Sequence, residues 1–212
     1  MTNSLSASKI AEYLLQIKAI KLSPEKPFQW ASGWISPIYC DNRVSLSYPE
    51  IRNFIKNELA TQIKSRFPEV ELIAGVATAG IAQGALVADV LCLPFVYVRP
   101  EPKSHGRQNQ IEGEFKTGAK TVVIEDLIST GKSSLKAVDA LRESNAKVLG
   151  LASIFSYGFQ IAEDNFKNAN CPFFSLSDYN ELIQHAVKSG YVDPSLVESL
   201  QEWRKAPDLW GK

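Results

Sequence analysis

Along this 212-residue chain the spacing of hydrophobic positions changes near residue 70. Before that point apolar side chains recur at helical intervals. Ile10, Leu14, Ile17 and Ile20 mark one amphipathic helix, and Ile51, Phe54, Ile55, Leu59 and Ile63 mark a second behind the start signal Ser47-Tyr48-Pro49. A polar, aromatic-studded segment separates the two. From residue 70 short apolar runs alternate with helical patterns: strand Val70–Ala77, helix Ile81–Leu91, strands Phe95–Arg99 and Thr121–Asp126, helix Ser133–Ser144 and strand Val148–Ser156. Val122, Val123 and Ile124 are apolar on both faces, as a strand covered by helices on both sides must be. The order predicts an α/β fold with a central, mostly parallel sheet flanked by helices. Tyr179–Ser189 and Pro194–Lys205 read as further strand and helix packed on that core. His185 keeps helical spacing with Leu182, Ile183, Ala186 and Val187 and reads as structural.

Ligands of such sheets gather beyond the carboxyl ends of the strands, where the Gly75–Gly80 loop, Arg99 and the Glu125–Ser133 loop all fall. The run VVIEDLISTGKSS, Val122 to Ser134, carries a strand into two carboxylates, then a small polar turn, then a helix. Backbone N–H groups of Ser129 to Ser133 at that helix start lack intrahelical acceptors, so an anion placed there gains hydrogen bonds and the favourable end of the helix dipole. Carboxylates are poor phosphate ligands and good acceptors for hydroxyls. Glu125 and Asp126 beside an anion cradle therefore point to a phosphorylated sugar such as a ribose 5-phosphate. Gly131-Lys132-Ser133 looks like the end of a triphosphate-binding P-loop, but that motif needs glycine where Asp126 stands. A simple N-cap by Ser129 or Thr130 is the plainer alternative, although a cap requires one such residue and the turn has several.

Two further segments border the same edge. Ala74–Gly80, AGVATAG, leaves a strand with small residues that either let backbone approach a ligand or pack a helix tightly on the sheet. Arg99–Gly113, RPEPKSHGRQNQIEG, holds almost no core-type residue before Ile111 and reads as a long mobile loop, with Arg107 an ordinary surface charge. Lys and Arg number 23 against 23 Asp and Glu, which removes the basic footprint of a dedicated nucleic-acid binder. Cys40, Cys92 and Cys171 are widely spaced without a CxxC pair, so neither a disulfide framework nor a zinc site is expected. The first residues lack a basic-then-apolar signal, and the most apolar stretch, Leu72–Val98, is broken by Gln83, Asp89 and Pro94. A cytoplasmic protein without membrane contact is the expectation.

The Val122–Ser134 run resembles the diphosphoribosyl-binding signature of the type I phosphoribosyltransferases. In Arg99–Gly113, the order arginine, lysine four on, histidine two further, then glycine, with the trailing Ile111-Glu112-Gly113, is similar to the flexible catalytic loop of the orotate branch of that family. The arrangement SG-xx-SP-xY-xxN within Phe28–Arg43, FQWASGWISPIYCDNR, resembles the same branch's N-terminal signature. A purine-base enzyme would lack that signature, and a non-catalytic sensor of the same fold would lack the cationic loop or add a DNA-binding segment.

The resemblance implies a type I phosphoribosyltransferase fold with a small N-terminal hood. Residues 1–212 would form one domain, with hood elements about 1–45 plus C-terminal segments and a core about 48–170. It implies transfer of the 5-phosphoribosyl group from 5-phospho-α-D-ribose 1-diphosphate to orotate, yielding orotidine 5′-phosphate and diphosphate in pyrimidine synthesis. By the same resemblance Leu127, Ile128, Ser129, Thr130, Gly131, Lys132 and Ser133 bind phosphoribosyl diphosphate, the Ser129–Ser133 backbone holding the 5-phosphate, while Glu125 and Asp126 face the ribose hydroxyls. Backbone of Val76–Ala79 and the side chains of Arg99, Lys103 and His105 would bind the diphosphate. Lys103, His105 and Asp126 would act in catalysis, and Ser129 would touch orotate. Mg²⁺ would ride mainly on diphosphate and ribose oxygens, with no dedicated protein ligand. The implied assembly is a homodimer with shared active sites. Pro100, Ala31 and Tyr157 stand where relatives often carry lysine, lysine and arginine. Arg43, or backbone amides near Trp34, is therefore expected to hold the orotate carboxylate.

Overall fold

The computed structural model describes residues 4–30, 33–101 and 110–210. Helix α1 (Ser4–Gln16) ends one turn sooner than its apolar spacing implies. Lys18 adopts a left-handed backbone (φ 58°), and Ile20 enters strand β1 (Ile20–Leu22). A hairpin of β2 (Phe28–Gln29) and β3 (Ile35–Ser36) follows, and β4 (Ile38–Cys40) returns antiparallel to β1, pairing Cys40 with Ile20. A 3-10 turn, Asn42–Ser47, leads into α2 (Pro49–Arg66), whose proline occupies the first helical turn, where its missing N–H costs nothing.

The remaining chain alternates as its periodicity predicts: β5 (Leu72–Val76), α3 (Ala79–Leu91), β6 (Phe95–Val98), β7 (Ile111–Glu112), β8 (Lys120–Ile128), α4 (Lys132–Glu143), β9 (Lys147–Ser156), α5 (Gln160–Asn168), β10 (Phe173–Asp178), α6 (Tyr179–Lys188), a 3-10 turn at Pro194–Leu196 and α7 (Val197–Lys205). The central sheet has the order β10-β9-β8-β5-β6-β7, parallel throughout except where β7 pairs antiparallel with β6. Its edge strand β10 lies beyond residue 170, so the core sheet extends past the expected boundary. Strand β8 also runs further than expected. Leu127 and Ile128 continue the pairing with Phe155 and Ser156 of β9, so the loop starts at Ser129.

Successive residues of the buried strands feed opposite layers, as a pleat requires. Ile73, Val122 and Ile124 pack with the hood, α2 and α3, whereas Leu72, Ala74 and Val123 pack with α4 and α5. From β5 the chain proceeds outward to β6 and β7, then crosses back to β8 on the other side of β5. The strand order reverses between β5 and β8, the place where an open α/β sheet forms a crevice.

Candidate active site

Strand β8 delivers Glu125 and Asp126 to that crevice. Glu125 is only 6% exposed. Its Oε2 accepts from the Ser134 hydroxyl at 3.1 Å and its Oε1 accepts from the Asp126 N–H at 3.0 Å. Burial, together with the negative charge of Asp126, pushes the Glu125 carboxyl up to about 8. Burial also raises Asp126, which remains half-buried and is the more open of the two. The expected pair of ribose-facing acids is thus divided: Glu125 turns inward to α4, and Asp126 lies nearer the surface.

The turn after β8 is built by glycine. Gly131 has φ 76°, and a Cβ there would lie 2.6 Å from Cε2 of Phe166 on α5. Both the backbone conformation and the close ring demand the absence of a side chain. Gly131 also occupies the N-cap of α4, and no side chain caps that helix. Ser129 and Thr130 therefore do not serve as caps, which removes the plainer explanation for this polar turn. Asn165 of α5 donates to the Thr130 carbonyl at 2.9 Å and braces the turn from behind. Lys132 and Ser133 are exposed at the helix start, where N–H groups have no intrahelical acceptors. Ile128 is 1% exposed and Leu127 packs on the core, so these two can offer a ligand backbone groups but hardly side chains.

Tight packing accounts for the glycines of Ala74–Gly80. A Cβ on Gly75 would lie 2.7 Å from the Gly80 carbonyl oxygen, and one on Gly80 would collide with the Ile124 carbonyl. The helix start is thereby pressed onto β5 and β8. The Ala77–Thr78 peptide bond is cis, and the Ala77 N–H donates to the Val98 carbonyl at 2.9 Å. At the end of β6, Arg99 lies 3.6 Å from a Glu112 carboxylate oxygen. Its main chain is clamped by Gln110 in both directions, at 2.8 and 2.9 Å. A cleft of about 310 Å³ joins these parts, lined by Ala77, Arg99, Lys132, Ser133 and Lys136 among others. Lys136 was not singled out from the sequence; its one-turn spacing from Lys132 was the available signal. Lys103, His105 and Arg107, with Ala31 and Ser32, lie outside the described residues.

The hood closes over β8. Asn42 donates through Nδ2 to the Asp126 carbonyl at 2.7 Å. Arg43 grips Asp41 with two bonds, Nε to Oδ1 at 2.7 Å and Nη2 to Oδ2 at 2.9 Å, and these hydrogen bonds, aided by its positive charge, hold the Asp41 carboxyl below the usual range. The cation expected to await a carboxylate is therefore already engaged by its own neighbour. Tyr157, at 3% exposure, lies between the rings of Trp30 and Phe159, with centroids 5.1 and 5.4 Å away. Burial pushes its phenol well above the usual range, so it offers a neutral hydroxyl. Among the described residues no three His, Cys, Asp or Glu side chains gather into a metal-binding group. Likewise no helix there is long and apolar enough to cross a membrane.

A mostly parallel sheet carries at its switch point Asp126, a glycine-built turn and a cleft lined by Arg99, Lys132 and Lys136, and residues 47–183 match the Phosphoribosyl transferase domain family, so the chain is a phosphoribosyltransferase. The orotate phosphoribosyltransferase of Cytophaga hutchinsonii is 58% identical over 96% of this chain and 98% of its own length. The crystal structure of orotate phosphoribosyltransferase from Aeropyrum pernix superposes with a TM-score of 0.74 at 26% identity, covering 86% of this chain and 99% of that one. Leishmania donovani UMP synthase shares the fold, with a TM-score of 0.77 at 22% identity over 93% of this chain, which spans 43% of that longer chain. The chain belongs to the orotate phosphoribosyltransferase family.

Proposed function

We propose that the chain transfers the 5-phosphoribosyl group of 5-phospho-α-D-ribose 1-diphosphate to a ring nitrogen of orotate, yielding orotidine 5′-phosphate and diphosphate for pyrimidine synthesis. The observation that carries this reading is that the turn following Asp126 on β8 sends Lys132 and Ser133 into the same cleft as Ala77 and Arg99, in a chain so similar to orotate enzymes. The cradle's N–H groups would receive the 5-phosphate, and Asp126 would accept from a ribose hydroxyl. The Ala77–Ala79 backbone with Arg99 would border the diphosphate. As the anomeric C–O bond breaks, electrons pass to the diphosphate and the ribosyl ring takes oxocarbenium character; the orotate ring nitrogen then forms the new C–N bond and gives up its proton, which an oxygen of the departing diphosphate would accept. Water would trap that cation, so closure must precede bond breaking. Lys103 and His105, from the loop after Arg99, would complete closure and neutralise the growing charge. Losing one such donor typically costs ~10²–10³ in rate.

Magnesium suits this site as an ion carried by substrate. It prefers oxygen ligands, and with Glu125 turned to Ser134, Asp126 is the acid left to border it beside diphosphate and ribose oxygens. When bound it would neutralise part of the diphosphate charge. The loop's length supports a homodimer in which it reaches the neighbouring site, and the free thiols of Cys40, Cys92 and Cys171 suit the reducing cytoplasm. We treat residues 1–212 as one such domain. Loss of free base is followed with magnesium, phosphoribosyl diphosphate and either orotate or hypoxanthine. Consumption of orotate alone is expected; consumption of hypoxanthine alone, or of neither, would sink the assignment.

A further inference from the structure

We infer that Asn42 is a positioning residue that locks the hood to the strand carrying Asp126 and to helix α3, which follows the loop proposed to bind diphosphate. The inference rests on the proposed reaction and deepens it. Asn42 is 1% exposed, and its amide faces a carbonyl, so the NH₂ group must point to Asp126 O, 2.7 Å away. That orientation leaves Oδ1 to accept from the Cys40 thiol at 3.4 Å. The carbonyl of Asn42 accepts from the Ser45 hydroxyl at 2.6 Å, and that hydroxyl accepts from Nε2 of Gln83 on α3 at 3.3 Å. Ser45 and Gln83 are buried as well.

The chain Cys40–Asn42–Asp126 and its branch Asn42–Ser45–Gln83 thus tie three segments together with directed hydrogen bonds. Hydrogen bonds have direction and hydrophobic contacts do not. A hood held by packing alone would keep its burial while sliding by a fraction of an ångström. Fastening the Asp126 carbonyl fixes the backbone from which its carboxylate projects, and fastening Cys40 fixes hood strand β4 relative to it. Attack at the anomeric carbon depends on that relative placement, and misplacement of about 1 Å can cost ~10² in rate.

The test compares Asn42→Ala, Asn42→Asp and Ser45→Ala with Thr121→Val, which removes a buried hydrogen bond (Thr121 Oγ1 to Ala119 O, 2.9 Å) at the far end of the same strand. Thermal midpoints, kcat and both KM values are measured. Asn42→Asp, which keeps the shape and loses the donor, is expected to lower kcat at least about tenfold, with the phosphoribosyl diphosphate KM within about threefold of wild type. Ser45→Ala should lower kcat by a smaller factor, and Thr121→Val should lower the midpoint without changing kcat. If the Asn42 variants fail to fold, Ser45→Ala decides. Wild-type kcat in the folded variants, with only the midpoint lowered, would overturn the inference. Absence of orotate turnover in the unmodified protein would instead overturn the proposed function, so the two failures are distinguishable.

Discussion

Glu125 shows how strongly one side chain's surroundings can reverse its usual chemistry. Its carboxyl is pushed up to about 8 in the folded protein by burial and by the charge of Asp126, against an ordinary value of 4.5. Between those values the unfolded chain has released its proton while the folded chain keeps it. Protons bound to the native state in excess mean that this group's contribution to stability falls as pH rises through that window and levels off above it. Glu125→Gln removes the titration, so its thermal midpoint is expected to decline less than wild type between about pH 5 and about pH 8. Parallel curves for the two proteins would show that Glu125 is ionised in the fold. The acid itself was legible in the sequence. Its inward orientation was not, because that depends on Ser134, nine positions further on in the first turn of α4. Asn42 and Asp126 lie 84 positions apart, and neither residue type announces such a bond locally.

At the scale of elements, α3 against β5 and β8 is a packing problem solved by small residues. Gly80→Ala would drive a methyl group into the Ile124 carbonyl, a backbone atom that cannot step aside without moving β8. We expect a loss of about 1–3 kcal/mol, measured by denaturant unfolding, and a raised KM for phosphoribosyl diphosphate because the loop proposed to border the diphosphate leads into the same helix start. Unchanged stability would mean that α3 shifts freely on the sheet. The long elements were readable because a nine-residue apolar strand or a five-turn amphipathic helix has enough residues to display a period. Strands β1–β4 and β7, at two or three residues each, show none. They exist because a partner supplies hydrogen bonds, as β4 does for β1, which is also why Ile20 left the helix its spacing promised.

Across the whole molecule, the two ends of the chain close on one aromatic cluster. Trp203 of α7 is fully buried, with its ring 5.7 Å from Trp30 in the hood and 5.7 Å from Tyr157 at the end of β9. Truncating a ring buried to that degree typically costs ~3–5 kcal/mol, which is the scale on which α7 fastens the hood. The proposed assembly makes its own prediction at this scale. Homodimers of Lys103→Ala and of Asp126→Asn should each be weak, and subunit exchange between them should restore part of the activity, since one hybrid site would hold both intact residues. Mixtures no more active than their parents would show that each loop serves its own subunit.

The sequence by itself determined the alternation of strands and helices from residue 70 and the small, polar turn that opens a helix after β8, because periodicity and turn chemistry act over a few neighbouring residues; the need for glycine at 131 came from Phe166, far along the chain. Only the tertiary structure decided that β8 carries on through Ile128, that Glu125 faces α4, that Arg43 is held by Asp41 and that Asn42 fastens the hood. Burial and the partners of buried polar groups are properties of the assembled layers, where residues distant in the chain meet in a medium too dry to leave them unpaired.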